Sequence, residues 1–185
     1  MTITTKQTPS TLKLALMAAM AVASAGLASS SQAASATATA SGTVVAPIAI
    51  AATGNLAFGS FAAGVGGTVT VSTSGVRATT GPVLMGSAPG SAARFHITGL
   101  AASTYSISHS GSTVLTNTTG TGNETMALAK FSDLTAGNAT SGNATSGTLD
   151  ASGAQSLYVG GALTVAASQV PGLYVGTVIA TVEYN

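Results

Sequence analysis

Gly172 to Asn185 reads GLYVGTVIATVEYN, and from Tyr174 to Tyr184 it alternates without a break. Val178, Ala180, Val182 and Tyr184 fall on one side, and Thr177, Ile179, Thr181 and Glu183 on the other. A period of two sends successive side chains to opposite faces of a pleated strand, so the segment predicts a β-strand with one apolar face. Its β-branched residues suit a half-buried sheet surface.

The same period recurs upstream. Leu157 and Val159 precede Gly160-Gly161, and Leu163 and Val165 follow, which predicts a bent or bulged strand. Ala93–Thr98 places Phe95 and Ile97 inward and Arg94 and His96 outward; Thr104–His109 places Tyr105 and Ile107 inward. Thr68–Thr73 carries Val69 and Val71 on one face, Met126 and Leu128 mark a further strand, and Leu56, Phe58 and Phe61 form another apolar group. Ala36, Ala38, Ala40, Gly42 and Val44 alternate with Thr and Ser, and Pro47, which cannot donate to a ladder, interrupts that segment before Ile48 and Ile50 resume the pattern. Clusters of Gly, Ser, Asn and Pro separate these runs, and no stretch after the amino-terminal segment has helical periodicity with caps. About nine or ten short strands at such spacing predict an all-β, two-sheet, immunoglobulin-like sandwich.

The amino terminus has a different logic. Lys6 and Lys13 give it positive charge, Leu14 to Leu27 is uninterrupted apolar or small residues, and Ser31-Gln32-Ala33 supplies small residues for cleavage. This is the pattern of an export signal, cut between Ala33 and Ala34, with Ala36 as the second choice. The apolar stretch is too short for the ~20 residues of a membrane span, and no other segment resembles one. The expected organisation is a signal at 1–33, an extended segment at 34–46 and a sandwich at 47–185. The expected location follows: export through the Sec pathway to the periplasm, cell surface or medium of a bacterium.

Beyond the signal, Arg77, Arg94 and Lys130 stand against Glu124, Asp133, Asp150 and Glu183, three cations to four carboxylates. Three scattered cations form no basic patch, which excludes nucleic acid as a partner. The chain has no cysteine, so disulfides, thiol catalysis and cysteine metal sites are absent. His96 reads as a solvated strand residue and His109 as a turn residue, the carboxylates are far apart in sequence, and there is no G-x-S-x-G elbow. No enzyme activity, cofactor or small-molecule substrate is therefore expected. Gly137–Gly147 repeats GNATS twice and reads as an exposed hairpin loop. The Asn-x-Thr triplets at Asn117, Asn123, Asn138 and Asn143 are read as chance matches in a chain rich in Asn, Thr and Ser.

Gly172, fourteen residues from the end, and the penultimate Tyr184 resemble the carboxyl-terminal signature of chaperone–usher pilins. That resemblance implies that a periplasmic chaperone pairs with this strand. Val44–Ile50, Asn55–Phe61, Ala93–Gly99, Leu157–Val165 and Gly172–Asn185 together resemble the bacterial secreted domain-of-unknown-function family 4402, itself similar to spore-coat-U and pilin-like domains. The resemblance implies a structural subunit of a surface fibre or coat, joined by strand complementation and self-association. In that reading Ala36, Ala38, Ala40, Gly42 and Val44 are the donor face, or else the first strand of their own domain. Gly172, Val178, Ala180, Val182 and Tyr184 form the carboxyl-terminal assembly strand. The alternative is a self-complete module that binds a glycan, matrix polymer or protein through Tyr105, Tyr158 and the 137–147 loop.

Overall fold

The computed structural model describes residues 33–86, 89–120 and 124–185. Residues 1–32 of the predicted signal and Asn123 of its triplet lie outside the described residues. Val44–Asn185 is one compact unit, and the residues up to Thr43 form a separate one. Of the latter, residues 33–43 are exposed and without regular structure, and this includes Ala33 and Ala34 at the expected cleavage point. The expectation of a first strand at Ala36–Val44 is thereby corrected: every residue of it is exposed, and the first strand starts at Ala49. The physical reason is that an inward face of methyl groups buries too little apolar area to hold a strand in place.

The compact unit is all β. Its strands are β1 (Ala49–Gly54), β2 (Phe61–Ala62), β3 (Gly67–Val71), β4 (Arg77–Thr80), β5 (Val83–Leu84), β6 (Ala93–Thr98) and β7 (Thr104–Gly111). They continue as β8 (Val114–Asn117), β9 (Thr125–Asp133), β10 (Ser146–Thr148), β11 (Ala154–Val165), β12 (Tyr174–Val175) and β13 (Val178–Tyr184). The larger sheet runs β1-β6-β11-β9-β8-β12, with β3 and β4 branching from β11; the smaller runs β10-β7-β13; β2 and β5 make a short ribbon. All ladders are antiparallel. The two main sheets pack face to face as a β-sandwich: Phe95, Ile97, Leu157 and Val159 of the larger meet Tyr105, Ile107, Ala180 and Val182 of the smaller.

β11 is the spine. Along one edge it pairs β6 through Ala154–Val159 and then β3 through Gly161–Val165, while β9 follows the other edge with no register shift. The Gly160-Gly161 pair is thus a branch point and not the expected bulge. At Gly160 a Cβ would strike the Phe131 ring and the Val71 carbonyl, and at Gly161 it would crowd Phe58, Leu128 and Leu56. Only residues without a side chain let β3 and Phe131 approach this closely.

The terminal segment read as one strand is two. β12 pairs β8 in the larger sheet and β13 pairs β7 in the smaller, so the ribbon crosses between sheets at Gly176-Thr177. The corner is held by Ser112 N–H donating to Thr177 O (2.9 Å) and Thr177 N–H donating to Ser112 Oγ (2.9 Å). Strands that switch sheets at such bends make the corners of a sandwich. Within β13 the predicted faces hold: Ala180 and Val182 are buried, and Ile179, Thr181 and Glu183 are exposed.

The GNATS repeat is largely exposed, as expected, but it is a strap from β9 to β10 in the other sheet and not a hairpin, and it is pinned at its two alanines. Ala139 N–H donates to Thr73 Oγ1 (2.9 Å), and Ala144 N–H to Ser132 Oγ (3.0 Å). His109 is a β7 residue and not a turn residue; its Nε2 lies 3.0 Å from both Ala144 O and Ser132 Oγ. Backbone groups of a polar repeat do the anchoring here, which is why the absence of apolar residues did not betray it.

Candidate functional site

The inward face of β11 outruns its cover. Leu157 and Val159 are capped by the smaller sheet, but Leu163 and Val165 belong to a second apolar cluster with Phe58, Val69, Val71, Met126 and Leu128. The smaller sheet contributes no strand to that cluster's buried set. Two mostly irregular segments line it instead: Leu56–Ala63, which contains the short β2, and Gln169–Gly176, which contains the short β12. Between them opens a groove of about 870 Å³, floored by Met126, Leu128, Leu163 and Val165.

Local chemistry builds each wall. A register break between Ala52 and Gly54 bends β1 at its end, and the chain then passes Leu56 and Phe58 along the groove. Arg77 clamps that wall: Nη1 donates to Phe58 O (3.0 Å) and Ser60 O (3.1 Å), and Nη2 to Met85 O (3.0 Å). Opposite, the Tyr174 hydroxyl donates to Val170 O (2.7 Å) and accepts from Gln169 Nε2 (2.7 Å). With those polar atoms satisfied, the wall turns aliphatic groups outward, and Leu173 is 60% exposed at the rim beside Val170 and Val175. Exposed aliphatic residues clustered at the mouth of an apolar cleft mark a contact surface.

The expected assembly-strand residues divide along the chain. Gly172 and Val178 line the groove. Ala180 and Val182 are buried in the closed core. Tyr184 stands at the far end of β13, where its hydroxyl accepts from Leu100 N–H (2.6 Å) and donates to Ala46 O (3.0 Å). The penultimate tyrosine therefore locks its own domain. Among the described residues β13 pairs only with β7. The expected donor residues, Ala36, Ala38, Ala40, Gly42 and Val44, are all exposed, Val44 at 99%. Arg77 escaped the sequence reading because its partners are backbone carbonyls, which carry no side-chain signature.

Tyr105, placed inward by the alternation, is wholly buried beneath Gly147, which removes it from any binding surface, and burial raises its pKa. Tyr158 remains at the surface with Arg94 5.5 Å over its ring. No group of three His, Cys, Asp or Glu converges among the described residues, and no described helix is long and apolar enough to cross a membrane.

A family model matches residues 48–184, from the residue before β1 to the tyrosine that ends β13. The chain belongs to the family described as Domain of unknown function (DUF4402). The DUF4402 match takes in both sheets, the groove and the Tyr184 lock, and it starts after the exposed segment. No curated protein matches the chain.

Proposed function

We propose that this protein is an exported, non-catalytic structural subunit of a cell surface or extracellular assembly, joined to further copies by strand complementation. The observation that carries the reading is the placement of the groove and of Ala46, next to the exposed arm in sequence, against opposite ends of β13. Val178 lines the groove, and Tyr184 bonds Ala46, where the exposed arm begins. Six residue steps of strand separate them, roughly 20 Å. An arm leaving one end and a groove opening at the other suit head-to-tail joining.

The arm, residues 34–45 after removal of the signal, reaches up to ~40 Å when extended. Its alternating small residues would face the groove while its backbone pairs with the open edge of β13. An alanine-rich face contributes little apolar area per residue, so Val44, the one large residue on that face, carries most of the burial. The resemblance of the Gly172–Tyr184 pattern to the pilin signature, and of the chain to spore-coat-U domains, is in keeping with the same reading. It also suggests a periplasmic chaperone that holds the subunit before assembly.

The test compares residues 34–185 with residues 47–185 by light scattering. Head-to-tail oligomers that disappear on truncation are the expected result. A longer form that stays monomeric at all concentrations, yet melts higher than the truncated one, would instead establish a self-complete domain. Export is checked by finding the processed chain, starting at Ala34, outside the cytosol.

A further inference from the structure

The free edges of the sheets are not alike. An outermost strand leaves a row of backbone N–H and C=O groups without ladder partners, and another chain can pair with them unless something guards the edge. Most free edges here are guarded by shortness or by charge. β2, β5 and β12 have two residues each and β10 has three. β4 has four and carries Arg77, and β13 carries Glu183. β1 differs. It is six residues long, AIAATG, with no charge and no proline, and it pairs only with β6. Among the described residues, no backbone bond reaches Ile48–Ala52 from the other side.

Two features bound the usable stretch. Pro47 has no N–H to donate, and the ladder register breaks between Ala52 and Gly54. Ile48–Ala52 lies between them, centred on Ile50. Across the β6 ladder Ile50 faces Ile97 and Ala52 faces Phe95, on the core side. Ala49 faces Thr98 and Ala51 faces His96, on the outer side. Ile48 and Ile50 pack against the core but stay only half-buried at its rim.

We infer that this edge is a contact for a second copy of the chain, with β1 pairing antiparallel to β1 about a two-fold axis. Such an axis sets one patch against itself. Antiparallel partners share a face, so the two cores fall on one side of the joined sheet only if residues of like parity meet. The middle of the bounded stretch then decides the register: Ile50 opposite Ile50, Ile48 opposite Ala52, and Ala49 opposite Ala51. Apolar residues meet on the core side, where each copy leaves its isoleucines half-covered, and methyl groups meet outside. No like charges oppose each other within the stretch. Five residues a side fall well short of the ~800 Å² per partner of a stable interface, so one contact is weak. Repeated along a fibre, it gains strength by avidity and joins fibres side by side. That use rests on the proposed head-to-tail joining; the contact between two copies does not.

The chain has no cysteine, so introduced ones report on this contact alone. Mature chains, residues 34–185, are made with Ala49→Cys or with Ala51→Cys, both at exposed positions. Each variant alone, and the two mixed, are oxidised at one total concentration of about 0.1 mM, suited to a weak contact. The mixture should form disulfide dimers about tenfold faster than either variant alone, because only 49 opposite 51 brings the Cα atoms within the ~4.4–6.8 Å that a disulfide needs. In the wild type, alternate amides of β1 should gain protection from exchange as concentration rises. Equal rates in the mixture and the single variants overturn the inference, and so does β1 exchange that does not change with concentration. Neither readout involves the groove: loss of oligomers on truncation bears on head-to-tail joining, and the cysteine rates bear on β1.

Discussion

Leu157 and Leu163 lie six residues apart on one strand, face the same way and are equally buried, at 0% and 1% exposure. What covers them differs. Leu157 sits under a hydrogen-bonded sheet, sealed at its rim by Tyr184. Leu163 sits under two mostly irregular segments with a groove of about 870 Å³ between them. The same amino acid on the same strand is thus core at one end of the molecule and floor of a cleft at the other. Burial at the level of one residue does not distinguish a closed core from an acceptor site; continuity of the covering layer does.

The largest expected effect comes from truncating each leucine in turn. Leu157→Ala leaves a void between two ladders that cannot collapse, and should cost about 3–4 kcal/mol. Leu163→Ala enlarges a space bounded by loops that can close on it, and should cost roughly 2 kcal/mol. Urea denaturation of both variants in residues 47–185, where an arm cannot fill the groove, measures the difference. Equal losses would mean that the two ends are packed alike and that the groove is not a distinct region.

Tyr184→Phe probes the seal itself. The variant keeps the ring and loses only the hydroxyl that accepts from Leu100 N–H and donates to Ala46 O. The expected cost is about 1–2 kcal/mol. Amide exchange should rise at Ala46, Ile48 and residues 99–101 and stay unchanged around the groove. A rise at the groove instead would show that the two ends are mechanically one.

The closed end was readable because its signals are local. Phe95 and Ile97, Tyr105 and Ile107, and Ala180 and Val182 each keep period two within a single strand, and the structure buries all six. The open end was not readable, because a missing cover is a relation between distant segments. Alternation runs straight through Gly176 although the strand changes sheets there, since side-chain period records the face and not the partner. Arg77 and the two GNATS alanines act through main-chain bonds, which no side-chain pattern announces. Gly172 and Val178 were named from the terminal pattern and do line the groove, but the wall they face, Leu56–Ala63, was seen only as an apolar group.

The smallest expected effect separates how the two ends are tied at their turns. At the closed end the chain enters β11 through the Asp150 turn, immediately after the buried Leu149. At the open end the loop after β11 is tied by Gln169 and Tyr174, which are uncharged. The Ser152 hydroxyl, then backbone N–H groups, hold the Asp150 carboxyl below its ordinary pKa. A carboxyl with a depressed folded-state pKa binds protons less readily than in the unfolded chain, so its contribution is complete above the ordinary aspartate pKa. That contribution fades as pH falls through the lower folded-state value. Asp150→Asn keeps the acceptor without the charge, so it should melt below the wild type at neutral pH, and the gap should close on acidification as the wild-type carboxyl is itself neutralised. Thermal melts of both proteins between neutral and strongly acid pH measure the gap. A gap that stays constant with pH would show that the turn depends on shape alone, and that the charge at the closed end does not contribute to holding it.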